Sequence, residues 1–415
     1  MRILYLCADP GVPYWGTKGA SIHVRAFARA LVAAGQEVTV VIARAGKPHG
    51  TLPEGVRVVE IPAESEQFFA PRPDSAADEA TLLYEARQFS QNRAAQDVMN
   101  DLLAHERYDI ICERYSLFSV AGRESARWHD LPFVLEVNAP LAREAKEHRQ
   151  LILEPLALAI ERYLYASADQ VVTVSAALAT HVSRIAPAAS VSVIPNGVDV
   201  DAFESVASAS DWRESRGLTR NGDFCIGFIG SLKPWHGLDI LMDAFAQLEP
   251  SRSRYRLLLI GDGPLRPALE REVQERNLAA QVVMTGAIPH EEIPSATQAC
   301  DVLVAPYPSM ENFYFSPLKV YEYMAAGRPI VASRIGQIAS ILTHEENALL
   351  SEPGKALPLA RAIERLRGDS DLAGRLAQRA RHDAFTSHSW RRRMVDWIAM
   401  FNQLSETRMR EESGA

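Results

Sequence analysis

Cysteine is scarce and scattered in this chain. Cys7, Cys112, Cys225 and Cys300 are the only four, and no two form a C-x-x-C pair. That spacing argues against a disulfide framework and against a cysteine-built zinc site; it predicts reduced thiols in the core of a cytoplasmic protein. No uninterrupted apolar run reaches the roughly 20 residues of a membrane span. The opening MRILYLCADPG has too short an apolar stretch for a signal peptide and lacks a small-residue cleavage site, so it reads as a strand. Basic charge is not in excess: 44 Lys and Arg stand against 52 Asp and Glu, a net charge of −8. This argues against a nucleic-acid partner. There is no G-x-G-x-x-G after the first strand, where ADPGVPYWG stands instead, which argues against a nicotinamide-dependent dehydrogenase. Short-period repeats and low-complexity tracts are also missing.

What is present is a long series of strand, loop and helix, in a chain of 415 residues, enough for two or three domains. RILYLC, EVTVVIA, VRVVEI, DIICER, FVLEVN, QVVTVS and SVSVIP read as strands in the first half. FCIGFIG, YRLLLIG, VVMTG, DVLVAP and PIVAS read as strands in the second. Continuous apolar runs fit strands covered on both faces, and the alternation with helices predicts parallel sheets. A helix is expected from about Ala20 to Ala34, with Ile22, Ala26, Ala30 and Ala33 on its apolar side and Gly35 at its end. Residues from about Ser75 to His105 have helical spacing, and Gln67 to Pro73 reads as an irregular loop. VIPNGVDVDAF, Val193 to Phe203, separates the two series, and the low-apolar ESVASASDWRESRG follows it. SWRRRMVDWIAMFNQL reads as a closing amphipathic helix with Met394, Ile398, Met400 and Phe401 on one side, and RMREESGA as a frayed tail. LAREAKEHRQLILEPLALAIERYL mixes basic and apolar residues and has two readings, a core-packed helix or one seated on a membrane surface.

One stretch, FYFSPLKVYEYMAAGRPIV from Phe313 to Val331, carries a single carboxylate, Glu322. Ser316 reads as an N-cap, Pro317 as the first helical residue and Gly327 as the left-handed residue past the helix end. The unpaired amides of Leu318 and Lys319 then form a small anion site. Glu322 lies one turn further on the same face, where a carboxylate suits the two hydroxyls of a ribose; the bland alternative is a solvated glutamate on a surface helix. Ligands of open α/β sheets bind beyond the carboxyl ends of the strands. Three such ends here are glycine-rich, GFIGSLKPWHG, LLIGDGPLR and MTGAIPHEEIP, and together with the helix they point to a nucleotide.

These segments, with GASIHVRAFARAL, ADQVVTVS, VIPNGVDVDAF, ACDVLVAPY and LKVYEYMAAGRPIVAS, resemble the retaining glycosyltransferases of family 4 over nearly the whole chain. The resemblance implies the GT-B fold: two doubly wound Rossmann-like domains facing across a cleft, with the last helix crossing back to the first domain. The boundaries it implies are 1–198 for an acceptor domain, 199–388 for a nucleotide-sugar donor domain and 389–406 for the returning helix. It implies transfer of a sugar from a nucleotide-diphosphate sugar, UDP- or GDP-linked, to a glycan, lipid-linked or small-molecule acceptor. The nucleotide-sugar is then a substrate, with no cofactor and no metal.

Residue by residue, the resemblance implies that Glu322 holds the ribose and that Leu318 and Lys319, preceded by Ser316, meet the diphosphate. Gly286, Ala287 and Ile288 pack on the base, with Gly230 and Ser231 in the turn beneath. Lys18 and Gly19 belong to a loop approaching the donor phosphate. Lys233 and His236 would neutralise the leaving diphosphate, and Asn138, near the place of the family's usual histidine, would hold a sugar hydroxyl. The first acid of the family's E-x7-E pair falls on Tyr314, with Glu311 nearby, and the usual arginine and lysine fall on Ser231 and His236. Glu113, Arg114 and Tyr115 could face an acceptor or be buried; Glu136 could be a buried ion-pair partner. Asp262 reads as a turn stabiliser, and Asp199 with Asp201 are too few for a hard cation. A nucleotide-sugar 2-epimerase-like enzyme and a noncatalytic nucleotide-sugar-binding subunit are the alternatives. An epimerase would act on the donor without acceptor, and a noncatalytic subunit would bind it without turnover.

Overall fold

The computed structural model describes residues 1–48, 52, 54–63, 76–204, 209–218, 223–248 and 255–414. Gln67 to Pro73 and part of the stretch after Phe203 lie outside them. The chain divides into two compact units, Met1–Pro195 with Arg393–Ala415, and Asn196–Arg392.

The first unit is built on seven parallel strands: β1 (Arg2–Cys7), β2 (Glu37–Ile42), β3 (Val56–Glu60), β4 (Ile110–Arg114), β5 (Phe133–Val137), β6 (Gln170–Thr173) and β7 (Val191–Val193). Their order is β3-β2-β1-β4-β5-β6-β7, with Ile3 beside Val38 on one flank and beside Ile110 on the other. Central strands are buried almost throughout, whereas the edge strands β3 and β7 mix exposed and half-buried positions. That contrast follows from helices covering both faces of the middle of the sheet and from the open edges. The helix after β1 runs Gly19–Ala33, and Gly35 at φ 81° lets the chain turn away. Its buried stripe is Val24, Phe27, Ala28 and Leu31; of the residues read from the sequence Ala30 is buried, Ile22 and Ala26 are half-buried and Ala33 is exposed. The sheet selects the stripe with the larger side chains, because Val24, Phe27 and Leu31 remove more apolar area from water than alanines do.

The second unit has six parallel strands: β8 (Phe224–Ile229), β9 (Tyr255–Ile260), β10 (Val282–Gly286), β11 (Val302–Ala305), β12 (Ile330–Ser333) and β13 (Leu349–Ser351). Their order is β10-β9-β8-β11-β12-β13. The three-residue edge strand β13, paired through Leu349 to Val331, was not read from the sequence, where its apolar run is too short to stand out. The four cysteines are free and buried, as expected. In both sheets the strand order reverses beside the first strand, between β1 and β4 and between β8 and β11, and a doubly wound sheet opens its ligand crevice at that place.

The last helix, Trp390–Gly414, continues through the segment read as a frayed tail; its Glu, Arg and Met residues are good helix formers. At its start, Val198 and Trp390 pair backbone to backbone at 3.0 Å, and a Cβ on Gly197 would lie 2.9 Å from Trp390 main-chain atoms. From Arg393 onward the helix belongs to the first unit, where the Trp397 ring meets Phe27 at 4.8 Å and Phe401 at 5.5 Å. Its buried residues are Trp390, Met394, Trp397 and Phe401, a regular i, i+4, i+7, i+11 stripe in which Trp397 replaces the expected Ile398. Among the described residues no helix is long and apolar enough to cross a membrane.

Trp397 is 2% exposed. Trp397→Ala is expected to cost about 3–5 kcal/mol, the usual range for deleting a buried tryptophan. Urea unfolding with a first-unit probe measures it, and a loss below about 1 kcal/mol would show that the helix contributes little to that unit.

Candidate active site

The reversal between β8 and β11 is floored by backbone. Gly230, at φ 144°, ends β8 and donates to the Ile260 carbonyl at 2.9 Å; Gly261, at φ 134°, ends β9 and donates to Gly286 at 2.9 Å. A Cβ on Gly261 would stand 2.0 Å from the Gly230 carbonyl oxygen, and one on Gly263 2.6 Å from that of Leu232. Only glycine permits this approach. Asp262 tightens the same turn: its carboxylate accepts from Gly263 at 2.7 Å and its carbonyl from the Leu232 amide at 3.0 Å.

Over this floor stands the helix Leu318–Ala326, closed by Gly327 at φ 64°. Its start differs from the expectation. Pro317 is the N-cap, in an extended conformation, and no side chain caps the helix. The Ser316 hydroxyl is turned away, accepting from the Asn196 amide at 3.2 Å, while Asn196 Nδ2 donates to the Ser316 carbonyl at 2.8 Å. A proline N-cap offers no acceptor, so the first-turn amides of Leu318 and Lys319 are left without an intrahelical or capping partner. Ser316 braces the turn against Asn196.

Lys319 is 8% exposed, with Nζ directed into the protein. Nζ lies 4.1 Å from the centre of the Phe228 ring and 5.5 Å from that of Tyr307, and a Cβ on Gly230 would stand 2.6 Å from it. Burial drives its pKa down to about 7, against the pull of Glu322. His236, on the 3-10 turn Pro234–His236, packs edge-on to Tyr307 at 5.6 Å. Its Nδ1 lies 2.5 Å from the Ser231 carbonyl, to which it donates. Burial, then the charges of Lys319 and Lys233, lowers its pKa to about 3 despite that hydrogen bond. The ring is neutral and presents Nε2 as an acceptor, so it does not supply the positive charge expected of it. Lys233, which begins the turn, holds its ammonium 4.6 Å from the centre of the Trp235 ring.

Glu322 is not alone. His290 Nε2 lies 3.0 Å from Glu322 Oε1, from the turn that follows β10 and Gly286, Ala287 and Ile288. This pair has no local sequence signature, because 32 positions separate the partners. Tyr314 rests on Phe315 at 4.3 Å in an aromatic loop with Phe313 and Tyr307, and Glu311 is exposed.

The first unit places Lys18 and Gly19 at the start of the helix after β1, with Lys18 extended as its N-cap, and Asn138 just past β5. Asn138 Nδ2 is buried without a hydrogen-bond partner. Glu113 and Tyr115 are buried: Glu113 accepts from Ser119 at 2.5 Å and Tyr115 donates to Glu161 at 3.1 Å. Burial raises the Glu113 pKa to about 7, opposed by Ser119 and the amides of Gly122 and Arg123. Glu136 is a buried ion-pair partner, 2.5 Å from His23 and 2.9 Å from Tyr5. Burial alone would push its pKa up, but His23, Arg114 and Tyr5 bring it down to about 2. Among the described residues no group of three or more His, Cys, Asp or Glu could hold a metal, and Asp199 and Asp201 belong to no such group.

Two doubly wound parallel domains in one chain, with a polar crevice at the strand reversal of the second, define the class as GT-B-type α/β proteins. Residues 17–202 match the family described as Glycosyltransferase Family 4, and residues 223–369 match Glycosyl transferases group 1. The chain is 28% identical over 442 aligned residues to the D-inositol 3-phosphate glycosyltransferase of Jonesia denitrificans, covering 97% of this chain and 96% of that one. It is 29% identical over 255 residues to the 2-deoxystreptamine glucosyltransferase of Streptomyces kanamyceticus, covering 60% of this chain and 65% of that one. The fold is similar to that of sucrose-phosphate synthase from Thermosynechococcus elongatus, with a TM-score of 0.77 at 23% identity, covering 98% and 100% of the two chains. It is also similar to Anabaena HepE in complex with UDP-glucose, with a TM-score of 0.70 at 21% identity, covering 98% and 99%. The protein is a nucleotide-sugar glycosyltransferase and belongs to the family 4 type.

Gly261→Ala is expected to lower stability by about 2–4 kcal/mol, because a β-carbon would meet a carbonyl oxygen that cannot swing aside and φ is positive. Thermal and urea unfolding measure it. A loss below about 0.5 kcal/mol would mean that the β8 and β9 ends move apart freely.

Proposed function

We propose that the enzyme is a retaining, metal-independent hexosyl- or related transferase. It takes a UDP- or GDP-linked sugar as donor and a glycan, lipid-linked or small-molecule acceptor. The observation that carries the reading is the helix tip: two unpaired amides, at Leu318 and Lys319, with a carboxylate one turn further on, above the glycine floor. A helix N-terminus favours a diphosphate, and the next turn offers Glu322 to the ribose. The binding of UDP and glucose by the similarly folded HepE supports a uridine nucleotide. We assign Ala287 and Ile288 to the base. Lys18 and Gly19, which we assign to the donor phosphate, and Asn138, which we assign to a sugar hydroxyl, stand at the carboxyl edge of the first sheet. A lipid-linked acceptor would seat this cytoplasmic enzyme at the inner face of the membrane.

In the reaction, the bond between the anomeric carbon and the diphosphate oxygen breaks, and its electron pair leaves with the phosphate. The two amides and Lys233 offset the charge that develops there; aimed donors of this kind are the largest catalytic contribution in many enzymes. The acceptor oxygen bonds to carbon on the face that the phosphate leaves, and its proton passes to the departing phosphate oxygen. Glu322 is held by His290 and serves the ribose, not the anomeric carbon.

With His290 on Oε1, Glu322 has one oxygen left for the ribose. A hydrogen bond to a charged group contributes about 1.5–3 kcal/mol. Glu322→Gln is therefore expected to weaken nucleoside diphosphate binding by about ten- to a hundredfold, at tenfold per ~1.4 kcal/mol. Calorimetric titration with UDP and GDP and their 2′,3′-dideoxy analogues measures it. Unchanged affinity overturns the ribose assignment, and so does a variant that still discriminates the dideoxy analogue as wild type does.

Transfer is expected to continue in excess EDTA. Complete loss of activity, restored by magnesium or manganese, overturns metal independence.

A further inference from the structure

An unpaired buried amine demands an account. Among the described residues Lys319 Nζ has no hydrogen-bond partner, and it is screened from solvent. An ammonium carries three donors, and burying it without acceptors is costly. The surroundings offer ring faces instead: Phe228 below at 4.1 Å and Tyr307 beside it at 5.5 Å. Gly230 gives up its side chain at the place where Nζ rests, since a Cβ there would stand 2.6 Å from it. The charged and titratable groups facing it add no free anion. Glu322, on its own helix, is bonded to His290; His236, from the turn after β8, is neutral; Lys233, from the same turn, is a cation; and Tyr307, after β11, is an undissociated phenol whose pKa burial raises. Yet the amine sits one side-chain length behind the two amides that form the anion site, and a lysine stem can extend to carry its head to a polar edge.

We propose that Lys319 is stored as a neutral amine over Phe228 and takes up a proton when a nucleoside diphosphate binds, so that nucleotide binding is coupled to protonation of this one side chain. The inference rests on the nucleotide reading of the helix tip. It makes Lys319 a cation that exists chiefly when its anion is present, on a turn where Ser231 carries no charge and His236 none that is accessible. A neutral lysine avoids the penalty of an unpaired buried charge, and the arriving phosphate supplies the missing partner.

The sign follows from linkage. The unliganded pKa is about 7, and a bound diphosphate raises it. Below about pH 7 the amine is protonated with or without nucleotide, and affinity is insensitive to pH. Above that, binding must bring in a proton, and affinity falls by about tenfold per pH unit until the bound-state pKa is passed.

Calorimetry of the full chain with UDP, GDP and ADP, in buffers of different ionisation enthalpy, counts the protons directly. At about pH 8 a phosphate monoester, with a second ionisation near 6, is already ionised and contributes little. Uptake of close to one proton per nucleotide at about pH 8, falling toward none at about pH 6, is expected. Lys319→Met, similar in length and apolar, should bind more weakly, with the uptake abolished and the dependence above pH 7 flattened. Binding by the wild type with no proton uptake overturns this inference and leaves the nucleotide reading intact. Uptake that persists in Lys319→Met assigns the proton elsewhere and also overturns it. No binding of any of the three nucleotides overturns the reading and the inference together. The wild-type proton count stands as a test even where the variant does not fold.

Discussion

Backbone against backbone, at the carboxyl edge of the second sheet, is the constraint from which the active site follows. The end of β9 presses on the end of β8 so closely that no β-carbon fits at Gly261, and the turn beyond it presses on Leu232 at Gly263. Exposed main-chain groups in such a place are strong hydrogen-bonding groups that must be satisfied. Here they are satisfied by one another, strand end to strand end. The helix Leu318–Ala326 is carried over this floor from the far side of the strand reversal. Because its N-cap is a proline, its own first amides remain available. The polarity of the crevice is thus set by main chain, and the side chains refine it.

The two sheets treat charge differently at their carboxyl edges. The first buries carboxylates beside hydrogen-bond donors: Glu136 with His23 and Tyr5, Glu161 with Tyr115 and His181, and Glu113 with Ser119 on one oxygen only. Buried charges that are paired and hydrogen-bonded rigidify the segments they join, and breaking one side of such a pair is costly. The second sheet buries a lysine and leaves it without a hydrogen bond, wrapped in aromatic rings.

The strands were legible because a strand covered on both faces writes an uninterrupted apolar run, as in VLVA of β11, all four residues of which are buried. The turn glycines were legible because their conformations admit little else, as at Gly327 and Gly35. What the sequence concealed was whatever depends on a partner distant in the chain. His290 and Glu322 meet only once β10 and the helix after β11 are side by side. Ser316 has the local chemistry of an N-cap, yet Asn196, 120 positions away, claims it. The helix stripes through Phe27 and Trp397 were misread because each is set by a distant partner, Tyr5 of the sheet against Phe27 and the Phe27 ring against Trp397. Glu113 stands near the end of the buried strand β4 and Tyr115 follows it, as ligand-facing residues do, and only the packing of their neighbours shows them to be interior. The directed Nζ of Lys319 has no sequence signature, since a lysine early in a helix is ordinarily a surface residue.

The last helix has a consequence for the time course of synthesis. The first unit is discontinuous in the chain: its sheet is complete at β7, while Met394, Trp397 and Phe401 belong to a segment nearly 200 residues later. At the usual pace of about 5–20 residues per second, the ribosome needs roughly 10–40 s to reach it. During that interval the Phe27 face of a nearly finished domain waits uncovered while an entire second domain is made. The nascent chain therefore passes through a stage in which its newest part can fold outright and its oldest part cannot yet close.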